Sequence, residues 1–162
     1  SRTLLEEVRE GQIRINEVFD IRKLAMYSSL LNLFGARHGS YIINLRFYYN
    51  PITSKLEPIA FDGNSGMRSK NFVPFMFTDM EKDTIYLREL YKALKVVSRP
   101  DYLDKIVDQH KTKLNEYKNI LGTEFNGQLF NYNNLKSNQK ILKKEMIDIE
   151  NKFAHKNLMD LE

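Results

Sequence analysis

The sequence predicts an α+β fold: N-terminal helices, a β-hairpin or small sheet, then a helical C-terminal half. Two observations carry this. Tyr41 to Tyr49 is almost entirely β-branched or aromatic, whereas most of the chain after Thr78 keeps helical spacing. A third is size: 162 residues make one compact domain the default, with a core that needs no covalent staples. The first residue is Ser, not Met, so the chain is expected to be a piece of a longer one.

Thr3 to Glu10 reads as a short amphipathic helix stopped by Gly11, and Ile13, Ile15 and Val18 then alternate as a brief extended segment. Asp20 is an N-cap, with Phe19 and Leu24 placed as a hydrophobic staple. The helix from Ile21 to Phe34 carries so wide an apolar stripe that burial on more than one side is expected, and Gly35 ends it in the left-handed region. The hairpin follows, turning at Asn50 to Ser54. There Pro51 presets φ and the Asn50 side chain can bond the backbone ahead. Leu56 to Phe61 returns, with Pro58 marking an edge or interruption. Asp62-Gly63-Asn64-Ser65-Gly66 forms an acidic turn at the strand's exit.

Met67 to Phe77 has no period but is too apolar for a solvated loop, so it is expected to cross the core. Thr78 with Glu81 makes a capping box for a helix to about Val97, which Ser98-Arg99-Pro100 breaks. One long helix is then expected, with Leu103, Ile106, Val107, His110, Leu114, Tyr117 and Leu121 in step and Gly122 as its cap. A polar link from Thr123 to Asn131 leads to a last helix through Leu135, Leu142, Met146, Ile149 and Phe153, fraying after His155.

The net charge of +4 is mild, and the basic run from Lys136 to Lys144 lies on a helical pattern. It reads as a solvated helix face, so no nucleic-acid partner is expected. The absence of cysteine excludes thiolate metal sites, thiol nucleophiles and disulfides. No apolar run approaches the ~18 residues of a membrane span. The three histidines are too scattered for a zinc motif, and His110, on an apolar face, is expected in the core.

Chemistry is expected at His38, Asn44, Asp62 and Asn64, in or beside the hairpin. Magnesium takes one or two carboxylates, amide oxygens and substrate phosphates. Asn44 on the first strand and Asp62 leaving the second could share one metal, since a hairpin sets such positions side by side. Asn44 falls in the Ile42, Arg46, Tyr48 phase, opposite the more apolar one. Each residue also has a plain role open to it. Asp62 suits a turn, Asn44 a cross-strand donor, and His38 the carbonyls of a helix end.

Phe19-Asp20, Leu33-Phe34-Gly35, Asn44, Phe47-Tyr48-Tyr49-Asn50-Pro51-Ile52-Thr53, Lys55-Leu56-Glu57-Pro58-Ile59 and Phe61-Asp62-Gly63-Asn64 resemble the spore coat protein H (CotH) kinase family. Arg99-Pro100-Asp101-Tyr102-Leu103 between two helices adds to the likeness, which is concentrated from Phe19 to Asn64. The resemblance implies the C-terminal lobe of an atypical protein-kinase-like fold, using magnesium and ATP to phosphorylate protein Ser/Thr, in a coat or cell-surface setting. It matches Asp62 to the metal-binding Asp of the kinase Asp-Phe-Gly motif and Asn44 to the metal-binding Asn of the catalytic loop. His38 falls where the family has its catalytic Asp, in a loop about one residue longer. Histidine there can be a base or the mark of a lost activity. No nucleotide-binding lysine strand or phosphate-covering loop is recognisable, so these 162 residues alone are expected to be inactive. The alternative is a non-catalytic, kinase-derived structural or binding module.

Overall fold

Helix α3 (Ile21–Leu33) is the element on which the others are assembled. Asp20 caps it, its carboxylate accepting from the Lys23 amide at 3.1 Å, and Phe19 and Leu24 are both sealed in the core. Buried side chains cover most of its circumference, from Ile21, Leu24 and Ala25 to Tyr27, Leu31, Asn32 and Leu33, and Arg22 and Lys23 mark its exposed side. Gly35, at φ 60°, ends it as expected, and no other residue would fit. A Cβ there would lie 1.8 Å from the Met67 carbonyl oxygen.

The computed structural model describes residues 2–75, 83–123 and 131–155. Before α3 come α1 (Arg2–Arg9), stopped at Gly11, and α2 (Ile15–Val18). The extended segment expected over Ile13 to Val18 is instead a single helical turn that buries Ile15 and Val18. After α3 come a 3-10 turn (Arg37–Ser40), then β1 (Arg46–Asn50) and β2 (Lys55–Ile59). The two strands pair antiparallel, Tyr48 facing Glu57 and Phe47 facing Pro58. The turn is the one expected: the Asn50 side-chain oxygen accepts from the Ile52 amide at 3.0 Å. A single parallel bridge from Phe19 to Leu56 joins β2 to the start of α3.

The first strand is shorter than its composition suggests. Tyr41 to Leu45 forms a turn, with the Asn44 and Leu45 amides both donating to the Tyr41 carbonyl, and leaves Ile42 and Ile43 largely exposed. Strand propensity is overridden there by that local bonding, and the expected strand placement of Asn44 is corrected.

From Gly66 to Phe75 the chain runs without regular structure, held by two buried asparagines. Asn138 accepts from the Ser69 amide (2.8 Å) and donates to the carbonyls of Met67 (2.9 Å) and Leu33 (3.2 Å). Asn32 accepts from the Val73 amide and donates to its carbonyl, at 2.8 and 2.9 Å. Phe75 is buried at the end of this path, so the expectation that the segment packs on the core holds as far as Phe75. Met76 and Phe77 fall outside the described residues, as do Thr78 and Glu81. Helix α4 (Thr84–Val97) is capped by Asp83, whose carboxylate accepts from the Ile85 and Tyr86 amides.

Helices α3, α4 and α7 (Tyr132–His155) pack together around Leu24, Leu33, Leu94, Val97, Leu135, Leu142 and Ile149. The one long helix expected after Pro100 is two, α5 (Tyr102–Gln109) and α6 (Lys111–Gly122), broken at His110. His110 is exposed rather than in the core, and α6 buries no side chain. Thr123 rather than Gly122 follows its last turn as the cap. The Lys136 to Lys144 run lies on α7, and no helix among the described residues is long and apolar enough to cross a membrane.

Candidate functional site

The end of α3 and the exit of β2 are brought together by backbone contact. The Gly66 amide donates to the Phe34 carbonyl at 2.7 Å, and a Cβ on Gly63 would sit 3.1 Å from that of Ala36. Asp62 and Asn64 take up φ of 41° and 46° to make this turn. Only short polar side chains tolerate such angles at modest cost. The 3-10 turn and the acidic turn thus face each other.

His38, Asn44 and Asp62 meet in this space. The His38 Nδ1 lies 3.0 Å from the Asp62 carbonyl oxygen and 3.2 Å from its carboxylate, and the Asn44 Nδ2 lies 2.9 Å from the same nitrogen. Nδ1 cannot both donate to Asp62 and accept from Asn44. Two oxygens against one amide favour a proton on Nδ1, donated to Asp62. Asn44 then spends its amide hydrogen on the His38 carbonyl, also at 2.9 Å. The ring is held further by the edge of Tyr41, 5.3 Å away between centroids. In the neutral ring this leaves Nε2 with a free lone pair on a half-exposed side chain.

Asn44 is buried and reaches the site from the Tyr41–Leu45 turn, not from a strand face. Its Nδ2 is committed, and its Oδ1 has no partner among the described residues. Asn64 is exposed, and its side chain joins neither His38 nor Asp62. Its place in the turn is conformational.

A cleft of about 480 Å³ opens beside Asp62, floored by Tyr27, Leu30, Leu31 and Phe34 of α3 and walled by Ala60, Phe61 and Gly63. Arg46 lies over the Phe61 ring, 4.8 Å from its centroid. A carboxylate at the rim of an apolar cleft suits a ligand with a flat apolar part and a cationic or metal-bound end.

No group of three or more His, Cys, Asp or Glu side chains able to hold a metal occurs among the described residues. A protein-only cage is therefore absent there. The arrangement fits a hard cation only if that ion brings other oxygens with it, as magnesium does when chelated by phosphates. Asn44 Oδ1 and the Asp62 carboxylate are the side-chain oxygens that such an ion would meet here.

Neither a family model, nor a curated protein, nor a solved structure matches the chain.

Proposed function

We propose that this chain is the C-terminal lobe of a CotH-like phosphotransferase, which in a longer protein moves the terminal phosphoryl group of Mg-ATP to a protein Ser/Thr hydroxyl. One observation carries the reading: the backbone clamp on Asn44 Nδ2 leaves Oδ1 free, beside the ring that holds Asp62. A positioned amide oxygen and a carboxylate from two different segments are what a phosphate-chelated cation requires.

The residues then divide the work. Asn44 Oδ1 and Asp62 would hold the cation, which would neutralise phosphate charge. His38, its Nδ1–H fixed on Asp62, takes the proton of the attacking hydroxyl on Nε2 as that oxygen bonds to phosphorus and ADP leaves. An upstream lobe is needed to hold the nucleotide.

A second reading, a non-catalytic module of a coat or cell-surface protein, is favoured by the two bonds to backbone oxygens. His38 binds the Asp62 carbonyl and Asn44 the His38 carbonyl, so both side chains also hold turns together.

Calorimetry separates the two. ATP is titrated with and without magnesium into this chain and into the longer protein, each as wild type and as Asp62→Ala. The phosphotransferase reading expects magnesium-dependent binding by the longer protein that is lost in Asp62→Ala. Its absence from both wild-type chains would leave the module reading.

A further inference from the structure

The hairpin has two unlike edges. The far side of β2 is covered by Phe19 through the bridge to Leu56, with Asp20 donating to the Leu56 carbonyl at 3.0 Å. That strand also carries Pro58 and the charged pair Lys55 and Glu57. Such devices keep a sheet edge from pairing with another chain. Among the described residues, β1 has no strand or bridge on its other side, and it carries no proline. Its single charge, Arg46, is turned back onto the Ile43 and Leu45 carbonyls at 2.8 and 2.9 Å and stacked over Phe61. It does not guard the edge.

We infer that the open edge of β1 pairs antiparallel with β1 of a second copy, across a two-fold axis at Tyr48, to make a four-stranded sheet. The inference is independent of the phosphotransferase reading. The strand is self-complementary under that operation. Arg46 would face Asn50 of the second copy rather than another arginine, Phe47 would face Tyr49, and Tyr48 would face Tyr48. Aromatic pairs add to an antiparallel ladder, and like charges directly opposite would weaken it.

The flanks match as well. Among the described residues, the three most exposed large apolar side chains are Ile52 at 93%, Ile42 at 73% and Ile43 at 70%. They lie at opposite ends of β1, Ile52 beyond its C-terminus and the other two before its N-terminus. Antiparallel pairing about Tyr48 brings these ends together twice, once on each side of the axis, as an isologous interface requires. A lone peptide strand would cover the edge but leave its own ends unmatched.

The chain has no cysteine, so single-cysteine variants test the register without background. Tyr48→Cys puts the thiols opposite each other, about 4.5–5.5 Å apart between Cα atoms, within reach of a disulfide. Thr53→Cys puts them in the two hairpin turns at opposite ends of the sheet, farther apart than the two Asn50 positions, which are roughly 13 Å from each other, and so beyond reach. We expect a concentration-dependent dimer in sedimentation, rapid oxidative cross-linking of Tyr48→Cys, slow cross-linking of Thr53→Cys, and about a tenfold or larger rise in the dimer dissociation constant for Ile52→Asp. A monomer at the highest soluble concentration would overturn the inference. So would a dimer in which Tyr48→Cys cross-links no faster than Thr53→Cys, or which Ile52→Asp leaves unchanged.

Discussion

Asn138→Leu is the substitution whose cost follows most directly from the fold. Asn138 is 1% exposed and ties three separate backbone groups: the Ser69 amide and the carbonyls of Met67 and Leu33. Leucine keeps the branching and is the bulkier side chain, so no cavity opens. The loss is of hydrogen bonds, each worth about 1 kcal/mol net, and of partners for buried groups, each costing about 1–3 kcal/mol when left unpaired. The bonds to the Ser69 and Leu33 groups are buried, and that to the Met67 carbonyl is partly buried. A destabilisation of about 3–5 kcal/mol follows. For a domain of this size it should lower Tm by roughly 10 °C. Urea unfolding monitored by tyrosine fluorescence measures it as a shift in midpoint at unchanged slope. Asn134→Ala is the control, because Asn134 makes one side-chain bond to this segment, to the Gly66 carbonyl at 3.0 Å, and should cost about 1 kcal/mol. If Asn138→Leu fell within about 0.5 kcal/mol of wild type, the loop would not be anchored by this side chain and the reasoning would fail.

Other outcomes follow from local geometry. Gly35→Ala should leave little folded protein in a soluble-expression or circular-dichroism comparison, since the new Cβ meets the Met67 carbonyl. Gly11→Ala has a similar φ of 71° but open space around it, and should cost only about 1 kcal/mol. Burial raises the Tyr27 phenol above its ordinary value of 10.0, and burial followed by the Glu150 carboxylate does the same for Tyr91. The folded state therefore holds these protons more tightly. Their stabilising contribution is complete below the ordinary phenol pKa and is lost as pH rises through it towards the folded values. Phenolate absorbance should rise in two stages, the second coinciding with alkaline unfolding; a single stage for all nine tyrosines in folded protein would contradict this. At the acidic turn, Asp62→Gly should be more stable than Asp62→Ala by about 1 kcal/mol in urea unfolding, because φ of 41° disfavours a Cβ.

What was legible in the sequence is what is decided within a few residues. The Asp20 cap, the left-handed Gly35 and the Asn50 turn each follow from one side chain acting on backbone nearby. Tyr41 to Leu45 misled because its composition favours a strand while its amides close a turn on Tyr41, and Asn44 bonds back to His38, six residues earlier. The break at His110 was hidden by a run of apolar residues at helical spacing, of which α6 buries none. Asp83 does not stand out in the sequence because Thr78 with Glu81 also has the pattern of a capping box. Asn138 left a signal that could have been read. It stands three residues after Leu135 and four before Leu142, at a core position where an amide needs several partners. Of the candidate site, the hairpin reading set Asn44 beside Asp62 on paired strands; Asn44 instead lies in the Tyr41–Leu45 turn and meets Asp62 through His38 Nδ1, while Asn64 stands apart. The manner of meeting, through a histidine nitrogen and two carbonyls, depends on a turn contact with no sequence signature.

The proposed phosphoryl transfer requires Asn44 and Asp62 to share one phosphate-chelated cation. Manganese substituted for magnesium tests it through paramagnetic broadening of the Asn44 side-chain amide and Gly63 backbone signals. Asp62→Asn serves as the control, since asparagine tolerates the same backbone angle. The account predicts broadening by manganese with ATP, little by manganese alone, and none at equal concentration in Asp62→Asn. Equal broadening in wild type and Asp62→Asn, or none at either signal in the wild type of the longer protein, would contradict it.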